Sequence, residues 1–161
     1  VTIIRRMIVT TSDITDCDFT HIEGKYFFLA KEVTLKNVDF SNSMLDKMYT
    51  RDITVINSDF KNVSLNKSYI YTSVFKNCNM LYIDAKEANL QNSEFNNCDM
   101  QWLNLFKGNL TKTHLVESNL NNSNLYECII FNTKFRDTSL KNCNFNQTNL
   151  KDGKERYINE D

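Results

Sequence analysis

The chain has 161 residues with 19 Lys plus Arg against 20 Asp plus Glu, enough for one domain with a sizeable core. Its net charge of −1 excludes a global field that would steer it to nucleic acid or anionic lipid, so a partner must be found by shape. The absence of Pro, only three Gly and abundant Asn fit neither a hairpin-rich sandwich nor an Ala-rich helical bundle, and point to repeats.

No apolar run nears the roughly 18 residues of a membrane span, and the start lacks the order of a signal peptide. A soluble domain with no membrane span is expected. Val1 in place of Met suggests an excerpt from a longer protein. In the first 30 residues, Ile4, Val9, Ile14 and Phe19 follow one another at intervals of five. Phe19 and the next strong member, Leu35, are one residue out of phase, so a slip or bulge falls between them, in the interval that holds Gly24 and "KYFFLAK". Residues 1–30 are therefore expected to form degenerate coils or a cap.

From Leu35 to Leu150 every fifth residue is large and apolar except Thr50 and Ala85. Two residues before each stands a second series of mostly small or β-branched residues, among them Val38, Ser58, Cys78, Ala88, Cys98, Ser118, Cys128, Thr138, Cys143 and Thr148. A period of five is neither the 3.6 of a helix nor the 2 of a strand. If five residues make one side of a square turn, four such units close a coil of about 20 residues, and coils stack about 4.8 Å apart. Both series then point inward, and about six coils give a rod about 29 Å long. Past Gly153 the pattern stops, and "KERYINED" reads as a tail or linker over 153–161.

Units such as "EANLQ", "ESNLN", "NSNLY", "QTNLK" and "NCNFN" resemble the pentapeptide-repeat family, whose consensus places Ala, then Asp or Asn, before a central Leu or Phe. The resemblance covers about residues 31–152 and implies an all-β fold, a right-handed quadrilateral parallel β-helix. The chain departs from the consensus at the small position, where Met48, Ile53, Ile83 and Leu103 imply a slightly wider coil.

Cys17, Cys78, Cys98, Cys128 and Cys143 all precede a central apolar residue by two, the inward slot where a free thiol acts as a compact hydrophobe. Such usage suits a reducing, cytoplasmic environment. His114 precedes Leu115 and should face outward, while His21 lies near the slip. No CxxC, HExxH, GxSxG or Gly-rich phosphate loop is present, so no catalytic residue, metal, cofactor or small-molecule substrate is expected.

Off the beat, Trp102 and Phe106 should turn away from the core. Tyr82 stands 20 residues before Trp102 with Leu81 beside it, Tyr126 stands 20 after Phe106, and Phe131 takes the equivalent slot on the next face. These six form the expected partner-binding surface, since exposed aromatic groups mark protein interfaces. Tyr49 and Tyr69 form a separate column. The preferred reading is a non-catalytic protein–protein recognition module. It is similar to the target-binding β-helix segments of secreted bacterial effectors, including HECT-like ubiquitin ligases, which implies a host protein as partner and secretion into the host cell. The alternative also comes from the family resemblance: its quinolone-resistance members mimic DNA with strongly acidic surfaces and protect DNA gyrase, a type II topoisomerase. Asp39, Asp59 and Asp99 share one column, but Asn79, Asn119 and Ser139 break it, and Lys36, Lys76 and Arg136 offset it nearby. No direct nucleic-acid binding is expected.

Overall fold

The computed structural model describes residues 2–4, 7–24, 27–29 and 32–150. The tail at 153–161, and residues 25, 26, 30 and 31 of the cluster near the slip, lie outside the described residues. The described chain is all β and contains no helix; it winds as a parallel solenoid with four faces and about 20 residues per coil.

The first face is a seven-stranded parallel sheet of β3 (Asp13–Thr15), β6 (Thr34–Lys36), β8 (Thr54–Ile56), β10 (Val74–Lys76), β11 (Glu94–Asn96), β12 (His114–Val116) and β13 (Lys134–Arg136). The second face is a ladder of single bridges, Asp18 to Asp39 to Asp59 to Asn79 to Asp99 to Asn119 to Ser139. The third begins with β1 (Thr2–Ile4) on β4 (Ile22–Gly24) and continues through Met44, Ser64, Asp84, Asn104, Asn124 and Asn144. The fourth carries β2 (Met7–Val9), β5 (Phe27–Leu29), β7 (Tyr49–Arg51) and β9 (Tyr69–Tyr71), then bridges to Asn89, Asn109, Ile129 and Asn149.

On either side of one slip, paired residues stand 20 apart, as in Thr34 to Thr54 and Thr2 to Ile22. Across the slip the offset is 21: Asp13 pairs with Thr34, Asp18 with Asp39, and Leu29 with Thr50. The extra residue falls between Leu29 and Glu32, because Glu32 already has the corner φ (65°) of the phase that follows.

Corners explain the abundance of Asn. Among the described residues, the second residue after each central one has positive φ, from Thr11 (46°) to Gln147 (57°). Between the second and third faces the corner is a four-residue turn, such as Met100–Leu103, where the Leu103 N–H donates to the Met100 carbonyl at 3.2 Å. The third residue of such a turn favours Gly or Asn because other side chains crowd the left-handed backbone. Asn37, Asn42, Asn57, Asn62, Asn77, Asn92, Asn97, Asn122, Asn132 and Asn142 fill this slot.

Inside, both predicted series meet in one apolar column: Leu35, Phe40, Leu45, Phe75, Phe95, Leu105, Leu115, Leu120 and Leu125 are all buried, together with Val38, Cys78, Ala88, Cys98 and Cys128. Hydroxyls in the small slot reach back to the preceding coil, so their burial costs little: Ser93 donates to Ile70 O at 3.1 Å, Ser123 to Met100 O at 3.2 Å and Thr133 to Leu110 O at 2.7 Å. The oversized residues in that slot are compensated by their neighbours. Met48 is followed by Thr50, Ile53 by Val55 and Ile83 by Ala85, each pair fully buried. After Leu103 and Leu105 the next small slot is Gly108, where a Cβ would stand 2.5 Å from Leu105 Cγ.

Candidate functional site

With both inward series spent on the core, the side chains available to a partner are those on the faces and corners. Tyr82 and Trp102 occupy the turn position between the second and third faces, with φ 62° and 60°. The rest of their column among the described residues is His21, Asn42, Asn62, Asn122 and Asn142. Asn62 Nδ2 donates to Asn42 Oδ1 at 3.0 Å and Asn142 Nδ2 to Asn122 Oδ1 at 3.1 Å, so an amide ladder runs up to the aromatic pair from either side. The pair breaks this ladder and puts bulky residues where the backbone disfavours them. Their rings lie 6.4 Å apart with a 31° tilt, 49% and 51% exposed. Leu81 is half-buried beside them.

Across the third face, at its other corner, the Phe106 and Tyr126 rings stack at 5.8 Å and 13°, both half-buried. Lys107 Nζ sits 5.1 Å from the Phe106 centroid and pairs with Glu127 at 3.5 Å. Between the two aromatic corners runs a polar floor in which Asn104 Nδ2 donates to Asp84 Oδ1 at 3.0 Å and Asn124 Nδ2 to Asn104 Oδ1 at 3.1 Å. The expected band is thus two aromatic pairs edging one polar face. Phe131 stands half-buried one corner further on, and among the described residues no ring contact joins it to either pair.

A second aromatic group lies on the fourth face. Tyr49 and Tyr69 are joined by Tyr71, with centroids 6.5, 6.2 and 5.9 Å apart, and Asn89 Nδ2 donates to the Tyr71 hydroxyl at 3.2 Å. Sequence reasoning found the Tyr49 and Tyr69 column but missed Tyr71. Its signal was present: residues 69 and 71 flank inward Ile70 and must emerge on the same side. Burial raises the Tyr71 phenol above its ordinary range, and the other two phenols add to the effect.

The five cysteines are free thiols. Cys78, Cys98 and Cys128 are buried, while Cys17 and Cys143 are half-buried towards the two ends. Contact with Cys78 and burial hold the Cys98 thiol far above the ordinary range, and burial pushes Cys128 up to about 12. Such thiols stay protonated and are poor nucleophiles and poor metal ligands. Among the described residues no group of three or more His, Cys, Asp and Glu side chains could hold a metal ion. None of the helices there is long and apolar enough to cross a membrane, the described chain having no helix.

The family model described as a pentapeptide repeat region matches residues 51–125, and that of pentapeptide repeats in eight copies matches residues 104–147. Among solved structures, the chain is similar to trypsin-treated QnrB1, a plasmid-mediated fluoroquinolone resistance protein. The identity is 12%, with 94% of this chain and 92% of that chain covered and a TM-score of 0.56. It is also similar to HetL, a pentapeptide repeat protein involved in heterocyst differentiation regulation from the cyanobacterium Nostoc sp. strain PCC 7120, at 12% identity, 96% and 92% coverage and a TM-score of 0.35. At 12% identity the likeness to QnrB1 is one of fold. No curated protein sequence matches the chain.

Proposed function

Because the chain belongs to the pentapeptide-repeat family, whose rods present side-chain columns on a rigid frame, we propose that it is a non-catalytic protein–protein recognition module. Its binding surface comprises Leu81, Tyr82, Trp102, Phe106, Tyr126 and Phe131. The observation that carries this reading is the exposed Tyr82 and Trp102 pair, which replaces Asn at two consecutive left-handed corners while the Asn ladder resumes on both sides. Such a substitution weakens local preference and leaves apolar surface in water, a combination associated with binding rather than stability. The resemblance to effector β-helices supports a further step: the module is the target-binding part of a larger bacterial effector and its partner is a host protein. Free thiols in the core suit action in a reducing compartment.

A second reading, a DNA mimic that occupies a type II topoisomerase, draws on the Asp18, Asp39 and Asp59 run of the second face. That run is interrupted at Asn79, returns at Asp99 and is followed by Asn119 and Ser139, and the near-neutral chain supplies no continuous acidic surface. Affinity capture from bacterial and mammalian lysates, with the chain and with a folded Trp102→Ala, Phe106→Ala variant, decides between them. A mammalian protein lost with the variant supports the recognition module. Gyrase held by both forms supports the mimic, and a partner held equally by both overturns the aromatic site.

A further inference from the structure

The two corners that edge the third face have the same ingredients in different states of completion. At the corner carrying Phe106, an aromatic ring, a cation and a carboxylate form a closed set: Lys107 lies over the Phe106 ring and pairs with Glu127. At the corner carrying Trp102, the ring and the carboxylate are present without the cation. Asp99 precedes Trp102 by three residues and sits at the centre of the second face, where that face meets the corner. The described lysines and arginines in ion pairs are committed elsewhere: Arg51 to Asp52, Lys67 to Glu87, Lys86 to Asp84, Lys107 to Glu127 and Arg136 to Asp137. Among the described residues none pairs with Asp99, and no cation is seated on the Tyr82 or Trp102 ring.

The donor that Asp99 does have shows what it accepts. The Gln101 backbone N–H donates to Oδ1 at 3.3 Å, and Gln101 Nε2 reaches both carboxylate oxygens, Oδ1 at 3.1 Å and Oδ2 at 3.3 Å, so the two oxygens face a common side towards the corner. A guanidinium is the group whose planar fork meets both oxygens of a carboxylate at once, and its face stacks on an indole. Resting on the reading of this corner as a docking site, we propose that the partner element seated on Tyr82 and Trp102 carries an arginine. Its guanidinium stacks on the Trp102 ring and replaces the Gln101 amide at Asp99.

Trp102 is the sole Trp of the chain, so fluorescence excited at the red edge, where the seven Tyr do not absorb, reports on this corner alone. The test titrates the protein with acetyl-Gly-Arg-Gly-amide and with its citrulline counterpart, which keeps the shape and loses the charge. The Arg peptide should give a saturable change in Trp102 emission with an affinity about ten-fold above that of the citrulline peptide. Asp99→Asn, which places in this column the residue already found at Asn79 and Asn119, should lower the Arg affinity about ten-fold and leave the unfolding transition in place. No response to the Arg peptide, or equal affinity for the two peptides, overturns the proposal. A captured protein that depends on Trp102 but binds Asp99→Asn undiminished leaves the docking reading standing and removes the arginine.

Discussion

Leu120 and Leu150 occupy the same slot of the same repeat, yet Leu120 is fully buried and Leu150 is 57% exposed. The same contrast separates Phe95 from Phe145 and Cys128 from Cys143. In the middle coils each inward side chain has a coil above and a coil below; in the last described coil it has only the coil below. Burial in this fold therefore belongs to the stack, and stability is a sum over neighbouring coils rather than a property of one unit.

The sharpest way to break this comparison is a charge in the middle. Leu120→Asp should abolish the cooperative thermal transition seen by circular dichroism, because a carboxylate there has no partner and no water. An unchanged melting curve would refute the inward assignment. Leu120→Ala should cost about 2 to 5 kcal/mol in urea unfolding, whereas Leu150→Ala should cost under about 0.5 kcal/mol. Equal losses would mean that the ends are as well covered as the middle. Gly108→Ala should cost about 1 to 3 kcal/mol, since the added Cβ meets Leu105 Cγ at 2.5 Å and its carbonyl oxygen at 3.0 Å.

Thiol chemistry sharpens the same contrast without mutation. Iodoacetamide at pH 8 should modify Cys17 and Cys143 at least about ten-fold faster than Cys78, Cys98 and Cys128, as read by peptide mass spectrometry. Cys128 also gives a sign for pH. Its folded pKa, about 12, lies above the ordinary thiol value of 9.0, so its share of stability is full below pH 9 and is lost as pH climbs towards 12. The melting temperature should fall between pH 8 and pH 10.5, and Cys128→Ala should lessen that fall. A gain rather than a loss is expected at Thr50, whose buried hydroxyl oxygen has no hydrogen-bond partner among the described residues. Thr50→Val should raise stability by up to about 1 kcal/mol, and a loss of that size would indicate that the hydroxyl is satisfied.

The core was legible in the sequence because a period of five leaves only one way to bury Leu35, Phe40, Leu45 and their successors together. The slip was legible as an interval, since Phe19 and Leu35 cannot share one phase; its place after Leu29 needed the strand register. Corner conformation was not legible. Asn fills the left-handed slot so often that the slot could be seen only afterwards, and Lys47, Lys67 and Glu87 occupy it too. The aromatic surface was found as residues but not as a shape. Column arithmetic aligned Tyr82 with Trp102 and Phe106 with Tyr126, whereas the polar floor between the pairs depends on side-chain amides bonding from coil to coil.

The constant offset of about 20 residues in backbone pairing also governs how such a chain can reach its fold. Each coil added closes a loop of the same length, so the entropy lost per step does not grow as the rod lengthens. Once two coils have met, the next needs to find only the one just formed, a zippering that can follow the order of synthesis. The rod can thus be long without being slow to assemble, and its first pairing is the hardest.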